Sequence, residues 1–221
     1  MFCLTMFDAR ISVPCGLIVT GPPLCGKSSF IINLIDNSDR LLDKQFDYII
    51  WFYGEYNKTV ELLTDGYTDR VKTVQGLPEN IEDYIYPEKG FGCHIYDDLM
   101  VAASNSKALT DLTSNKCQHN SISWIITLQN MFYHGPERTT LLRCAHYLVL
   151  FKNPLDKTVA HYLAGRIMPK KQNIFMDIFE KATEKPNGYL FIDGAQKTPD
   201  EARLRTSIFG DVQLVFVPKN Q

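Results

Sequence analysis

Residues 21 to 28 read Gly21-Pro22-Pro23-Leu24-Cys25-Gly26-Lys27-Ser28, a full G-x-x-x-x-G-K-[ST] pattern. The chemistry needs those residue types at that spacing. Gly21 and Gly26 let the backbone curl until its N–H groups converge on β- and γ-phosphates, Lys27 adds a point charge, and the Ser28 hydroxyl is placed to ligate Mg²⁺. The flanks supply the required context. Gly16-Leu-Ile-Val-Thr20 is short and rich in β-branched residues, as a buried central strand should be, and Ser29-Phe-Ile-Ile-Asn-Leu-Ile35 carries apolar residues at helical spacing. A strand, a glycine loop and a helix in that order imply an α/β phosphate-binding fold, with Gly21 through Ser29 as the nucleotide-binding residues and ATP with Mg²⁺ as the expected cofactors.

Working outward, 221 residues suit one large α/β domain, and no Pro/Ser-rich linker divides the chain. The expectation is a single domain over residues 1–221 with its core at about residues 14–217. Net charge is −2 and the pI is near 6.2, so no global basic field advertises nucleic acid, and any such partner must be held by a local patch. The six cysteines (Cys3, Cys15, Cys25, Cys93, Cys117 and Cys144) contain no C-x-x-C pair, and a disulfide at Cys25 would deform the phosphate loop. They read as reduced thiols of an intracellular protein. Cys93-His94 and Cys117-Gln-His119 lack zinc-finger spacing and read as buried small apolar residues with polar neighbours. The longest unbroken apolar run, Tyr48 to Tyr53, is six residues, far short of the ~18 that a membrane span requires. Met1–Phe7 has no basic leader, so neither a signal peptide nor a membrane partner is expected.

Strand-like runs recur at 16–20, 48–53, 71–74, 93–96, 123–128, 147–151 and 189–192, and segments of helical character separate most of them. That alternation predicts a mainly parallel sheet with helices on both faces. Helices are expected at 27–36, 58–65, 79–84, 105–118, 157–167 and 174–183, with Asn105 and Asp156 as caps. The run 212–217 alternates enough for an edge strand.

A phosphate loop needs a second element to hold the metal and position water. Cys93-His-Ile-Tyr-Asp97-Asp98 is an apolar run ending in two acids, which places them at the carboxyl end of a strand, where open α/β sheets bind ligands. Asp97 is the expected Mg²⁺ residue alongside Ser28, and Asp98 the expected base toward the attacking water. Ser123-Trp-Ile-Ile-Thr-Leu-Gln129-Asn130 is a third buried strand ending in a polar pair, and Gln129 could reach the γ-phosphate or the water. If the 123–128 strand inserts between the first strand and the Asp97 strand, the sheet is of the additional-strand class of phosphate-loop ATPases. Order along the chain does not prove that order in space.

From Glu137 to Lys171 seven basic residues (Arg138, Arg143, Lys152, Lys157, Arg166, Lys170, Lys171) face two acids, a local charge of +5. Such a stretch could track a phosphate backbone or form a solvated helix face. Arg138, Arg143, Arg166, Arg203 and Arg205 are candidates for a guanidinium delivered in trans to a neighbour's γ-phosphate, and position after the Gln129 strand favours Arg138. The expected catalytic set is therefore Lys27, Asp98, Gln129 and Arg138.

The blocks GPPLCGKSSF, FDYIIWFYGEYN, VQGLPE, IYDDLM, ITLQNMF, HYLVLFKNPLDK, KPNGYLFID and TPDEARLRTSIF follow one another in an order and spacing that resembles the genome-packaging ATPases of Maverick/Polinton elements and adintovirus-like viruses. These belong to the FtsK–HerA-like superfamily, which also contains the poxvirus packaging ATPase. The resemblance covers residues 14 to 217 and implies a homomeric ring, pentamer or hexamer, that moves double-stranded DNA into a preformed viral capsid. It implies an intracellular location in the infected or element-bearing host cell, with transient residence at the capsid. Asp97 and Asp98 resemble the family's metal and catalytic acids, Gln129 its sensor, and Arg138 the arginine after the sensor strand. The chain departs from the wider pattern in carrying Asp98 where Glu is common. Its Glu-Arg-Thr-Thr-Leu-Leu-Arg block leaves Arg138 and Arg143 competing for one role. A helicase of the same class and an ATP-gated assembly module with little turnover are the alternatives.

Overall fold

In the computed structural model, which describes residues 8–132, 135–210 and 212–217, every residue of β1 (Gly16–Thr20) is buried. It is hydrogen-bonded in parallel on both sides, to β5 (Ile122–Leu128) through pairs from Gly16↔Trp124 to Thr20↔Leu128, and to β6 (Tyr147–Phe151) from Leu17↔Tyr147 to Thr20↔Leu150. Around this centre lie β2 (Tyr48–Tyr53), β3 (Val71–Gln75), β4 (Gly92–Asp97), β7 (Tyr189–Asp193), β8 (Leu204–Thr206) and β9 (Leu214–Val215). The order across the sheet is β3-β2-β4-β5-β1-β6-β7-β8-β9. The first six strands in that row are parallel and the last three antiparallel. β5 therefore does insert between β1 and the Asp97 strand, β4.

Two apolar clusters, one on each face, explain why the parallel strands read as continuous apolar runs. Leu17, Val19, Ile49, Trp51, Ile95 and Ile125 belong to one cluster with α1 (Lys27–Asp36), α2 (Ser38–Leu41) and α3 (Lys58–Gly66). Their sequence neighbours Ile18, Ile50, Phe52, Tyr96, Trp124 and Ile126 belong to the other. That second face packs against α4 (Met100–Asn105), α5 (Lys107–Asp111), α6 (Cys117–His119), α7 (Arg138–Cys144), α8 (Thr158–Ile167) and α9 (Gln172–Ala182). Alternation with a period of two sends successive side chains to opposite faces, and both faces are covered.

The differences from the sequence expectations have local causes. The single helix expected over 105–118 is interrupted at Ser106, whose side chain accepts from Leu109 N at 3.1 Å and starts a new helix. Asn105 does not cap, since its amide donates backward to Val101 O at 2.7 Å. Leu112–Lys116 is a π-helical turn. Residues 79–84 contain only a 3₁₀ turn, Ile81–Tyr84. Asp156 does not cap either: the cap position is Lys157, and Asp156, one residue earlier, accepts from Thr158 N at 2.8 Å in an Asx turn that leads into the helix. α7 and β8 were not legible: the first is seven residues without a side-chain cap, and the second is three residues centred on an arginine.

His94 of β4 is fully buried beside Phe52 and Tyr96. Its Nε2 lies 3.0 Å from Tyr84 O, a carbonyl that can only accept, so Nε2 carries the hydrogen and Nδ1 faces the Tyr96 hydroxyl at 3.3 Å. Burial pushes its pKa from 6.5 down to about 4. In the interval between those values the unfolded chain binds the proton and the folded chain does not. The His94 contribution is therefore complete above pH 6.5 and is lost as pH falls toward 4, by up to about 3 kcal/mol. Urea midpoints measured across that interval should fall with acid, and His94→Gln should flatten the decline. An unchanged slope in the variant would assign the acid sensitivity elsewhere.

Candidate functional site

The loop after β1 is fixed from several sides. Gly21 N donates to Leu128 O at 3.1 Å, which ties the loop to the end of β5. A Cβ at Gly21 would lie 2.6 Å from Phe151 Cβ and 2.8 Å from Cys25 Sγ, so only glycine fits. Gly26 has φ 101°, and α1 begins immediately after it with no side-chain cap and no acid in its first turn. The amino end of a ten-residue helix thus presents its unpaired N–H groups and positive dipole end to the loop. Lys27 Nζ lies across the loop and donates to the carbonyls of Gly21 and Pro22, both at 2.9 Å. Leu24, at φ 61°, is fully exposed at the tip.

Asp97 is the last residue of β4 and is only 5 % exposed. Ser28 Oγ donates to its Oδ2 at 2.8 Å, and Thr127 Oγ1 donates to its Oδ1 at 2.9 Å. Burial raises the Asp97 pKa, while the two hydroxyls hold it down. Asp98 follows with φ 56°, a left-handed turn that swings its carboxylate out to solvent. Its backbone N donates to Thr127 Oγ1 at 3.0 Å, and its Oδ1 accepts from Gln129 Nε2 at 2.8 Å. From the other side, Gly54 N donates to Asp97 O at 3.2 Å, and a Cβ at Gly54 would come within 2.7 Å of Asp98 O. The acid pair is clamped between the ends of β2 and β5. One continuous chain results: Ser28, Asp97, Thr127, Asp98, Gln129.

Thr127 was missed by sequence reasoning. It is buried in β5 and bridges the two acids, donating to one and accepting from the backbone of the other. Parallel pairing of Tyr96 with Ile126 brings the next residues, Asp97 and Thr127, side by side, so its role follows from strand order and register. Thr127→Val keeps the shape and strands a buried carboxylate oxygen. We expect it to cost about 1–3 kcal/mol of stability and to raise the Mg²⁺ concentration needed for half-maximal activity, with Thr127→Ser restoring much of both. An unshifted Mg²⁺ titration in a folded Thr127→Val protein would reduce the bridge to packing.

The arginine candidates separate. Arg205 is 1 % exposed in β8, ion-paired with Asp193, and donates to Ala9 O. It is not available to a neighbouring subunit, and its candidacy is withdrawn. Arg203 donates to Asp200 Oδ1 at 2.8 Å and to the carbonyls of Asp193 and Ala195. Arg166 donates to the Tyr162 hydroxyl at 2.8 Å. Arg143 lines a cleft with Pro14, Cys15 and His146, at the amino ends of β1 and β6 and thus at the opposite end of the sheet from the phosphate loop. Arg138 opens α7 on the chain that returns from Gln129; its side chain lies outside the described residues. The basic stretch does not form one face, since Arg143 and Lys152 bracket β6 at opposite ends and Lys157 pairs with Glu180 at 2.8 Å.

The described cysteines are free thiols, and burial raises the pKa of Cys15, Cys93 and Cys117. Cys93 and His94 fall on opposite faces, and among the described residues no group of three or more His, Cys, Asp or Glu is placed to hold a metal ion. Among the described residues no helix is long and apolar enough to cross a membrane.

A six-stranded parallel row with the extra strand between the loop strand and the acid strand defines the additional-strand class of α/β phosphate-loop folds. No family model and no curated protein matches the sequence. Its fold does match solved structures. The chain is similar to the genome packaging NTPase B204 from Sulfolobus turreted icosahedral virus 2 in complex with AMPPCP, at 12% identity and a TM-score of 0.55, covering 94% of this chain and 99% of that one. The same protein in complex with AMP matches at 13% identity and a TM-score of 0.52, over 87% and 96% of the two chains.

Proposed function

We propose that this chain is an ATP-hydrolysing, Mg²⁺-dependent motor that moves double-stranded DNA into a viral capsid as a homomeric ring. The observation that carries hydrolysis is the hydrogen-bonded chain from Ser28 through Asp97, Thr127 and Asp98 to Gln129, set against the phosphate loop. Ser28 Oγ and Asp97 Oδ2 form a hydroxyl–carboxylate pair of hard oxygen donors, a set that fits Mg²⁺. When bound, that ion neutralises charge on the β- and γ-phosphate oxygens. The loop N–H groups and Lys27 hold the phosphates, which requires Lys27 to leave the Gly21 and Pro22 carbonyls. Gln129 steadies Asp98 Oδ1, so that Oδ2 accepts a proton from the attacking water.

The packaging step rests on the eight sequence blocks that resemble packaging ATPases, and it is supported by the fold shared with a protein described as a viral genome packaging NTPase. It places the chain inside the infected cell and transiently at the capsid. Steady-state ATP turnover with and without long duplex DNA tests it. Turnover should rise with DNA of any sequence, and the effect should weaken steeply with salt as counterions are released. Indifference to long duplex DNA at low salt would overturn translocation, and strand separation on a forked duplex would reassign the motor as a helicase. An inactive Arg138→Ala subunit mixed with an inactive Asp98→Asn subunit should regain activity, because a mixed interface holds one intact site.

A further inference from the structure

Two clefts flank the phosphate loop. One, of about 270 Å³, is lined by Pro22, Gln129, Asn130, Asn153 and Asp156, so it holds the residue that touches Asp98. The other, of about 430 Å³, is lined by Cys25, Phe151, Lys152, Pro154 and the turn of residues 183–188 that joins α9 to β7. That turn is rigid for identifiable reasons. Gly188 N donates to Lys185 O at 2.9 Å, closing four residues with Pro186 second and Asn187 third at φ 57°, the sequence and geometry of a type II turn. A Cβ at Gly188 would lie 2.8 Å from Lys185 O and 2.9 Å from Ala182 O, so the turn is seated on the end of α9. Its tip faces the phosphate loop across about the width of a methyl group, because a Cβ at Gly26 would stand 3.6 Å from Asn187 Cβ and 3.7 Å from Asn187 Oδ1.

The ligand considered is the nucleotide of the hydrolytic reading above. A triphosphate on the loop must turn its γ end toward Asp98 and Gln129, on the side of the smaller cleft. Its α end then leaves away from β5, past Phe151, which both clefts share, toward Cys25 and the larger cleft. We infer that the larger cleft receives the sugar and nucleobase, and that the Asn187 amide reads the edge of a purine. The volume falls within the range of about 300–1,000 Å³ usual for small-molecule sites, and Phe151 and Pro154 give it apolar walls. An amide offers one donor group and one acceptor side by side, the complement of the adenine amino group and its neighbouring ring nitrogen. A carboxylate offers acceptors alone, the complement of the paired N–H groups on guanine.

The test measures binding of ATP, GTP and inorganic tripolyphosphate, with Mg²⁺, to the full chain and to Asn187→Gly, Asn187→Asp and Lys27→Ala. Glycine at 187 preserves the positive φ while deleting the amide. ATP should bind the parent more tightly than tripolyphosphate. Asn187→Gly should weaken ATP by about tenfold and leave tripolyphosphate unchanged, while Asn187→Asp should shift the ATP/GTP ratio toward GTP. If ATP binds both folded Asn187 variants as it binds the parent, or if ATP and tripolyphosphate weaken together, the base assignment is wrong and the phosphate-loop reading stands. If tripolyphosphate and ATP bind Lys27→Ala as they bind the parent, the phosphate-loop reading itself fails, and this assignment with it.

Discussion

Asp98→Asn should bind ATP as the parent does and hydrolyse it about 10²–10⁴-fold more slowly, the usual worth of a positioned general base. The substitution isolates chemistry from structure. Asp98 sits at φ 56°, a conformation that asparagine adopts readily, so the turn between β4 and α4 survives. Its backbone bond to Thr127 is untouched, and the remaining amide oxygen can still accept from Gln129. What disappears is the oxygen proposed to take a proton from water. Lys27→Ala should behave in the opposite sense, losing phosphate affinity, so the pair separates binding from turnover. ATP titration and phosphate-release assays measure the two quantities. Parental turnover in Asp98→Asn would move the base to another residue, with Gln129 and the water it orients as the first place to look.

The phosphate loop and both acids were legible because their chemistry is local. A glycine loop between a strand and a helix, and an apolar run ending in Asp97-Asp98, each mark a strand end without reference to the rest of the chain. The sheet's mainly parallel character was legible for a related reason, since central strands covered on both faces carry few polar residues to interrupt the run. Thr127 was not legible, because its significance lies in a register, Tyr96 beside Ile126, that no sequence window contains. Asn187 was hidden for a similar reason. Lys-Pro-Asn-Gly spells a turn, but only the fold brings that turn against Gly26, 161 positions earlier in the chain. Helix boundaries failed where short polar side chains had two backbone partners available. Asn105 chose the carbonyl behind it, and Ser106 took the capping role. Arg205 misled for the opposite reason: an arginine beside a serine and threonine reads as surface, and only the sheet edge formed by β7, β8 and β9 encloses it.

Arg205 also supports the second large effect. Arg205→Met should destabilise the fold by about 3–5 kcal/mol, because it strands the Asp193 carboxylate in a buried site. The guanidinium lies over the Phe191 ring at 4.8 Å, and it ties Ala9, Asp193 and Gln213 together across the antiparallel edge. Losing it therefore loosens both termini of the described chain at once. Replacing both partners, Arg205→Met with Asp193→Leu, should recover part of the loss, since the desolvated charges are removed together. Recovery stays partial because Asp193 Oδ1 also accepts from Ala195 N at 3.0 Å. Denaturant unfolding of the two proteins gives the comparison directly. Activity should fall only in proportion to the unfolded fraction, and mixing Arg205→Met with Asp98→Asn subunits should rescue nothing beyond what the folded fraction supplies. A residue acting in trans behaves otherwise: the single variant keeps its unfolding midpoint, loses turnover, and regains it in mixed assemblies. If Arg205→Met did that, the Asp193 pair would be incidental and the arginine would belong to the neighbour's site.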